Sequence, residues 1–145
     1  MRGLIQRVKQ ASVVVDGESV GAIDEGVLLL LGVEKGDALP NAEKLLQKML
    51  NFRIFSDDEG RMNRSVSDIS GGLLIVSQFT LAADTRKGTR PGFSTAAAPA
   101  DAEHLYEQFV EMARVAHPTV ATGIFGADMQ VSLVNDGPVT FLLET

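Results

Sequence analysis

Two continuous apolar runs, residues 27–31 and 73–76, stand out from a chain that elsewhere alternates apolar and polar positions or repeats them at helical spacing. Glycine precedes each run, at Gly26 and at Gly71-Gly72, and a polar loop follows each. Short apolar runs bounded by turn signals predict strands buried on both faces. The strand predicted over 72–81 turns abruptly polar at its C-terminal end, as Ser77-Gln78-Phe79-Thr80. Such an ending places hydroxyls, a carboxamide and backbone N–H groups at a sheet edge, where functional sites form.

The rest of the pattern supplies a scaffold around this segment. Residues 4–9 and 11–15 read as strand, Asp16-Gly17 as a hairpin turn, and 19–23 as the return strand. After the loop Glu34-Lys35-Gly36-Asp37, Asp37 is placed to cap a helix over 41–50 with an apolar stripe of Ala42, Leu45, Leu46, Met49 and Leu50. Phe52, Ile54 and Phe55 predict a short strand that turns at residues 56–60, and 61–70 shows no period. Residues 82–99 also lack periodicity, and a loop of that length inside a domain is often functional. A second helix is predicted over 101–116, striped by Leu105, Tyr106, Phe109, Val110, Met112 and Ala113 and ended by His117-Pro118. A strand over 127–134, a tight turn at Asn135-Asp136-Gly137-Pro138 and a last strand over 139–143 complete the chain. Segments 26–37 and 72–84 echo one another as glycine, apolar strand and polar loop, each followed by a helix. With no linker or low-complexity tract, 1–145 is expected to be a single α+β domain. Its mixed β-sheets would be barrel-like, with two main helices packed on the sheet.

Composition narrows the function. Of 145 residues, 45% are hydrophobic and 22% charged, ordinary for a globular protein. The absence of cysteine excludes disulfides and thiolate metal sites. No apolar run is long enough to span a bilayer and none reads as a signal peptide, so a cytoplasmic location without membrane contact is expected. A net charge of −6 and a pI near 4.8 argue against a long grip on a nucleic-acid backbone, while leaving room for a small substrate or the tip of a nucleic acid.

The reactive side chains are few. Ser77 lacks the flanking glycines of a nucleophile elbow, and the two histidines, His104 and His117, fit a solvated helix face and a helix end. No pair of histidines or carboxylates has metal-ligand spacing, so neither metal nor cofactor is expected. What remains is neutral polar chemistry. Backbone N–H groups near Gln78 suit an oxyanion, and Thr80 or Ser77 suits orienting a water or hydroxyl, though neither has a base nearby in sequence. Plain hydrogen bonding at a strand end accounts for the same residues, and a hairpin turn accounts for Gly137-Pro138.

Four segments together carry a family resemblance: Leu4-Ile5-Gln6-Arg7-Val8, Arg53-Ile54-Phe55-Ser56-Asp57 with Gly60-Arg61-Met62-Asn63, Ser77-Gln78-Phe79-Thr80-Leu81, and Asn135-Asp136-Gly137-Pro138-Val139-Thr140-Phe141. In this order, nearly end to end, the chain resembles the D-aminoacyl-tRNA deacylases, formerly D-tyrosyl-tRNA deacylases. The resemblance implies hydrolysis of the ester between a D-amino acid, or glycine, and the terminal adenosine of tRNA. It implies a homodimer with its sites at the interface and a cis Gly137-Pro138 peptide entering the partner's pocket. Gly137 and Pro138 would offer their carbonyls to the substrate's α-amino group and exclude L-residues, and Arg7 would steady them. Ser77, Gln78, Phe79 and Thr80 would line the pocket, with N–H groups near Phe79 facing the ester carbonyl. Phe125 and Met129 resemble residues that hold the terminal adenine, and core packing explains them equally. For Thr80 the resemblance leaves two roles: nucleophile, or bystander to catalysis assisted by the ribose 2′-hydroxyl. Lys87, Arg86 and Arg90 on the long loop would meet the few phosphates of the tRNA 3′ end. A non-enzymatic binding module of the same fold and a small-ester serine esterase are the competing readings. The pairing of Ser77–Thr80 with Gly137-Pro138 favours cleavage over the former, and the missing elbow and histidine disfavour the latter.

Overall fold

Strand β1 (Arg2–Val15) is the spine of the computed structural model, which describes residues 1–145. Asp16 and Gly17 take positive φ, +50° and +80°, and make the two-residue turn that Asp-Gly favours. Strand β2 (Glu18–Ile23) then returns along the second half of β1, and β3 (Gly26–Gly32) runs antiparallel to its first half. Strand β6 (Gly72–Ser77) lies parallel to β3 and β7 (Val120–Thr122) parallel to β6. The opposite edge of β1 carries β8 (Gln130–Glu144) along nearly its whole length. The Thr122 carbonyl sits close against Gly21 of β2, so the mixed sheet curls into a nearly closed barrel. Two short strands, β4 (Phe55–Ser56) and β5 (Met62–Arg64), form a separate hairpin.

The two apolar runs are buried on both faces, as predicted, because two cores meet across them. Val27, Leu29 and Leu31 of β3 and Leu73 and Ile75 of β6 pack against helices α1 (Leu39–Asn51) and α2 (Pro99–Ala116). Leu28, Leu74 and Val76 point the other way, into the barrel with Val8, Val13 and Ile23. The internal echo has a structural counterpart: Gly26 stands beside Gly72 and Leu31 beside Ser77 in the parallel ladder. The glycines are needed there, since a Cβ at Gly26 would lie 1.9 Å from the Gly72 carbonyl oxygen. No helix is long and apolar enough to cross a membrane.

Four local expectations change. Asp37 does not cap α1; it accepts from the Glu34 N–H at 2.7 Å and pairs with the Met1 amine at 2.6 Å, while Asn41 Oδ1 accepts from the Ala38 N–H. The strand predicted over 72–81 stops at Ser77, and Phe79–Ala82 forms a 3₁₀ turn. His117 ends its helix through its backbone, whose N–H donates to Ala113 O at 2.9 Å, but its side chain does not cap: the ring is buried, and its Nε2 donates to the Gly71 carbonyl at 2.6 Å, fixing the entry to β6. Residues 127–143 are not a hairpin. Gln6 faces Thr140 and Val8 faces Asn135, so Arg7 alone opposes residues 136–139 and β8 continues past them as one bulged strand.

Candidate active site

The parallel ladder sets up the first half of the site. Leu31 O accepts from the Gln78 N–H at 2.8 Å, so the chain leaves β6 still attached to β3 and turns at once into the 3₁₀ turn. Its first bond runs from the Leu81 N–H to Gln78 O at 3.1 Å. The N–H groups of Phe79 and Thr80 precede it and have no acceptor inside the turn, the usual state of a helical N-terminus. Ser77 and Gln78 are half-buried, whereas Phe79 and Thr80 are exposed. The Gln78 carboxamide donates to Thr80 Oγ1 at 2.5 Å.

Ser77, Gln78 and Phe79 form one wall of a cleft of about 460 Å³. Phe125 and Met129, both half-buried, and the buried Tyr106 also line it. The sequence pattern marks Tyr106 as a core position of α2. Its ring does pack in the core, 5.7 Å from Phe125, but its hydroxyl donates to Ile75 O at 3.1 Å, and burial pushes its pKa up to about 12. It is therefore a neutral phenol that holds β6 to α2 rather than a general base. Thr80 does not line the cleft. His117 binds at the opposite end of β6 from Ser77, roughly 20 Å away at strand spacing, and His104 is exposed on α2. No histidine can serve Ser77 or Thr80 within this chain.

Arg7, Gly137 and Pro138 form a second cluster outside that cleft. The Gly137-Pro138 peptide is cis, and both residues are exposed on the bulge of β8. Arg7 Nε donates to Asp136 O at 2.9 Å and Nη1 donates to Ile54 O at 2.7 Å, so one guanidinium ties the bulge to the segment before β4. Asn135, which the sequence marks only as the first residue of the motif, clamps the bulge from its other side. Its Oδ1 accepts from the Val139 N–H at 2.7 Å and its Nδ2 donates to Thr140 Oγ1 at 2.9 Å. Asn is a frequent stand-in for missing ladder bonds, which is the signal that could have marked it.

Comparisons with known proteins give the family and the fold. The family model described as D-Tyr-tRNA(Tyr) deacylase matches residues 4–144. A D-aminoacyl-tRNA deacylase of Stutzerimonas stutzeri is 64% identical over 145 residues, and one of Pseudomonas aeruginosa is 63% identical over 145 residues, each match covering 100% of both chains. Among solved structures, the c-Myc DNA Unwinding Element Binding Protein superposes with a TM-score of 0.96 at 41% identity, over 100% of this chain and 99% of that one. A probable eukaryotic D-amino acid tRNA deacylase shares the fold, with a TM-score of 0.84 at 19% identity over 99% of this chain and 98% of that one. Fold and relatives place the chain among enzymes that hydrolyse carboxylic esters. It belongs to the D-Tyr-tRNA(Tyr) deacylase family.

Proposed function

We propose that this enzyme hydrolyses the ester joining a D-amino acid, or glycine, to the terminal adenosine of tRNA, as a homodimer whose sites each draw on both subunits. The observation that carries the reading is the division of the two motifs. Arg7 pairs with Val27 while Ser77 pairs with Leu31, a separation of about 13 Å along the strands. Strands β1 and β3 also lie between β8 and β6, adding roughly 14 Å across the sheet. Each chain thus has a cleft without a selector and an exposed selector without a cleft. A second copy supplies both. The outer edge of β8 is unpaired and exposes Val134, Phe141 and Leu142, the kind of edge that a partner subunit covers.

In this reading the backbone N–H groups near Phe79 stabilise charge developing on the ester oxygen. Phe125 and Met129 hold the terminal adenine. The partner's Gly137 and Pro138 would accept hydrogen bonds from the α-ammonium, and an L-residue would press its side chain into their backbone. Selection by exclusion on backbone atoms ignores which side chain the D-residue carries. With no base beside Thr80, and its Oγ1 already accepting from Gln78, the water is oriented by the ribose 2′-hydroxyl. Only the 3′ tip of the tRNA enters, which suits the net charge of −6 and a cytoplasmic enzyme acting on charged tRNA.

Matched D- and L-aminoacyl-tRNA, with glycyl-tRNA, test the reading directly. Release of the D-amino acid and of glycine, with the L-ester intact, is expected. Equal release of both enantiomers overturns the selector, and binding without release makes the protein a recognition module. A D-ester on a terminal 2′-deoxyadenosine should resist cleavage; rapid hydrolysis would rule out the 2′-hydroxyl.

A further inference from the structure

The long aperiodic segment carries a feature that the cleft chemistry leaves unused. Residues 84–92 form a flap whose base is closed by a reciprocal pair of bonds, Asp84 N–H to Gly92 O at 2.7 Å and Gly92 N–H to Asp84 O at 3.0 Å. Thr95 Oγ1 donates to Ala82 O and the Lys35 N–H donates to Thr95 O at 3.0 Å, anchoring the strand that leaves the flap. Arg86 folds back onto Asp84 through two guanidinium bonds, 2.9 and 2.8 Å, which hold that carboxyl well below the usual carboxylate range. Arg86 is thereby spent within the flap, while Lys87 and Arg90 are exposed on it.

Directly after the flap, Phe93 packs its ring on that of Phe79, with centroids 4.9 Å apart and planes tilted by 39°. Both rings remain open to solvent, Phe79 58% and Phe93 41% exposed. Phe79 also lines the cleft, so the aromatic pair joins the cleft to the segment that carries the cationic flap. Two exposed aromatic rings, with two exposed cations on the flap that leads into Phe93, on a chain of net charge −6, match the chemistry of a single-stranded nucleic acid: flat faces for bases and cations for phosphates. The apolar edge assigned to the second subunit is on β8, and in the proposed dimer only the partner's Gly137-Pro138 bulge reaches the cleft side.

We propose that Phe93, stacked on Phe79, together with Lys87 and Arg90, forms a seat for the unpaired nucleotides next to the terminal adenosine of the tRNA. This rests on the deacylase reading, because the substrate in the cleft fixes where those nucleotides emerge. The seat contributes to capture of the whole tRNA and contributes nothing to an ester that ends at adenosine.

The experiment compares kcat/KM for D-aminoacyl-tRNA with that for the D-aminoacyl ester of free adenosine. In the Phe93→Ala enzyme the ratio of the two should fall about tenfold, the loss of one base–aromatic stack. Phe93→Trp should restore it, which a mere folding defect would not allow. Lys87→Ala with Arg90→Ala should reduce the salt dependence of tRNA capture by a slope of about 1.4, two single-strand phosphate contacts. An unchanged ratio and slope in a parent that cleaves both esters overturns the seat alone. A parent that cleaves neither overturns the deacylase reading and the seat with it. Sedimentation showing that Phe93→Ala splits the homodimer would make the aromatic pair a subunit contact instead, and would also overturn the proposal.

Discussion

Asn135 illustrates how much can hang on one side chain. Its amide bonds in both directions, accepting from Val139 and donating to Thr140, and so replaces ladder contacts that the bulge removes. Asn135→Ala leaves the Val139 N–H unpaired beside a buried valine, a cost of roughly 1–3 kcal/mol. The expected result is a fall of about tenfold in D-ester hydrolysis with a narrower D-to-L ratio. Parallel deacylation of both enantiomers measures it, and an unaltered ratio would separate Asn135 from the selector. Thr80 should behave differently. It is exposed, and its one side-chain partner, the Gln78 carboxamide, donates to Oγ1 and cannot take its proton. Thr80→Ala should lose less than about tenfold in single-turnover rate, short of the roughly 10²–10⁴-fold loss expected of a group acting on the reacting proton. A larger loss, with an acyl-enzyme trapped in the parent, would restore Thr80 as nucleophile.

Among the elements, the β3–β6 pair is the most constrained. Gly26→Ala would drive a methyl into the Gly72 carbonyl and part the two strands that link the cores. The expected penalty is at least about 3 kcal/mol, a drop of about 10 °C in Tm by calorimetry. A variant that melts with the parent would mean that the ladder yields without cost. Both strands were legible in the sequence, because an unbroken apolar run between glycines has few other solutions. Their parallel pairing was not, since periodicity reports burial and never the neighbour. Strand β7 was missed because Val120-Ala121-Thr122 is too short to show a period. The bulge was read as a turn because Asn-Asp-Gly-Pro serves both purposes locally; only the continued pairing of Thr140 with Gln6 distinguishes them.

For the whole molecule, the split between cleft and selector predicts complementation. Gly137→Trp, which spoils the bulge, and Gln78→Trp, which fills the cleft that Gln78 lines, should each give inactive homodimers. Mixed after dissociation and reassembly, they should recover about one quarter of the parental activity, because half the dimers are hybrids with one intact site of two. No recovery would place both motifs of a site on one chain. The sequence names Ser77 to Thr80 and Gly137-Pro138 as two separate motifs, and the structure keeps them apart, with Ser77, Gln78 and Phe79 on the cleft and Gly137-Pro138 on the bulge. That the groups lie on different faces could not be read from the sequence, because chain order says nothing of how far β1 and β3 hold them apart.

The bulge in β8 has one more consequence, and it concerns the inside of the protein. Four residues face one, so three are surplus, and an odd surplus reverses which side of the sheet each later residue occupies. Before the bulge, Val131 and Leu133 pack on the barrel interior; after it, Val139 and Leu143, odd-numbered as well, belong to the core beneath the helices. The exposed peptide is therefore also the crossover by which one strand serves two cores. Shortening it by an odd number of residues would turn the last third of β8 inside out, whereas removing two would preserve the sides. The length of this segment is set by parity within the fold as well as by whatever it presents outside it.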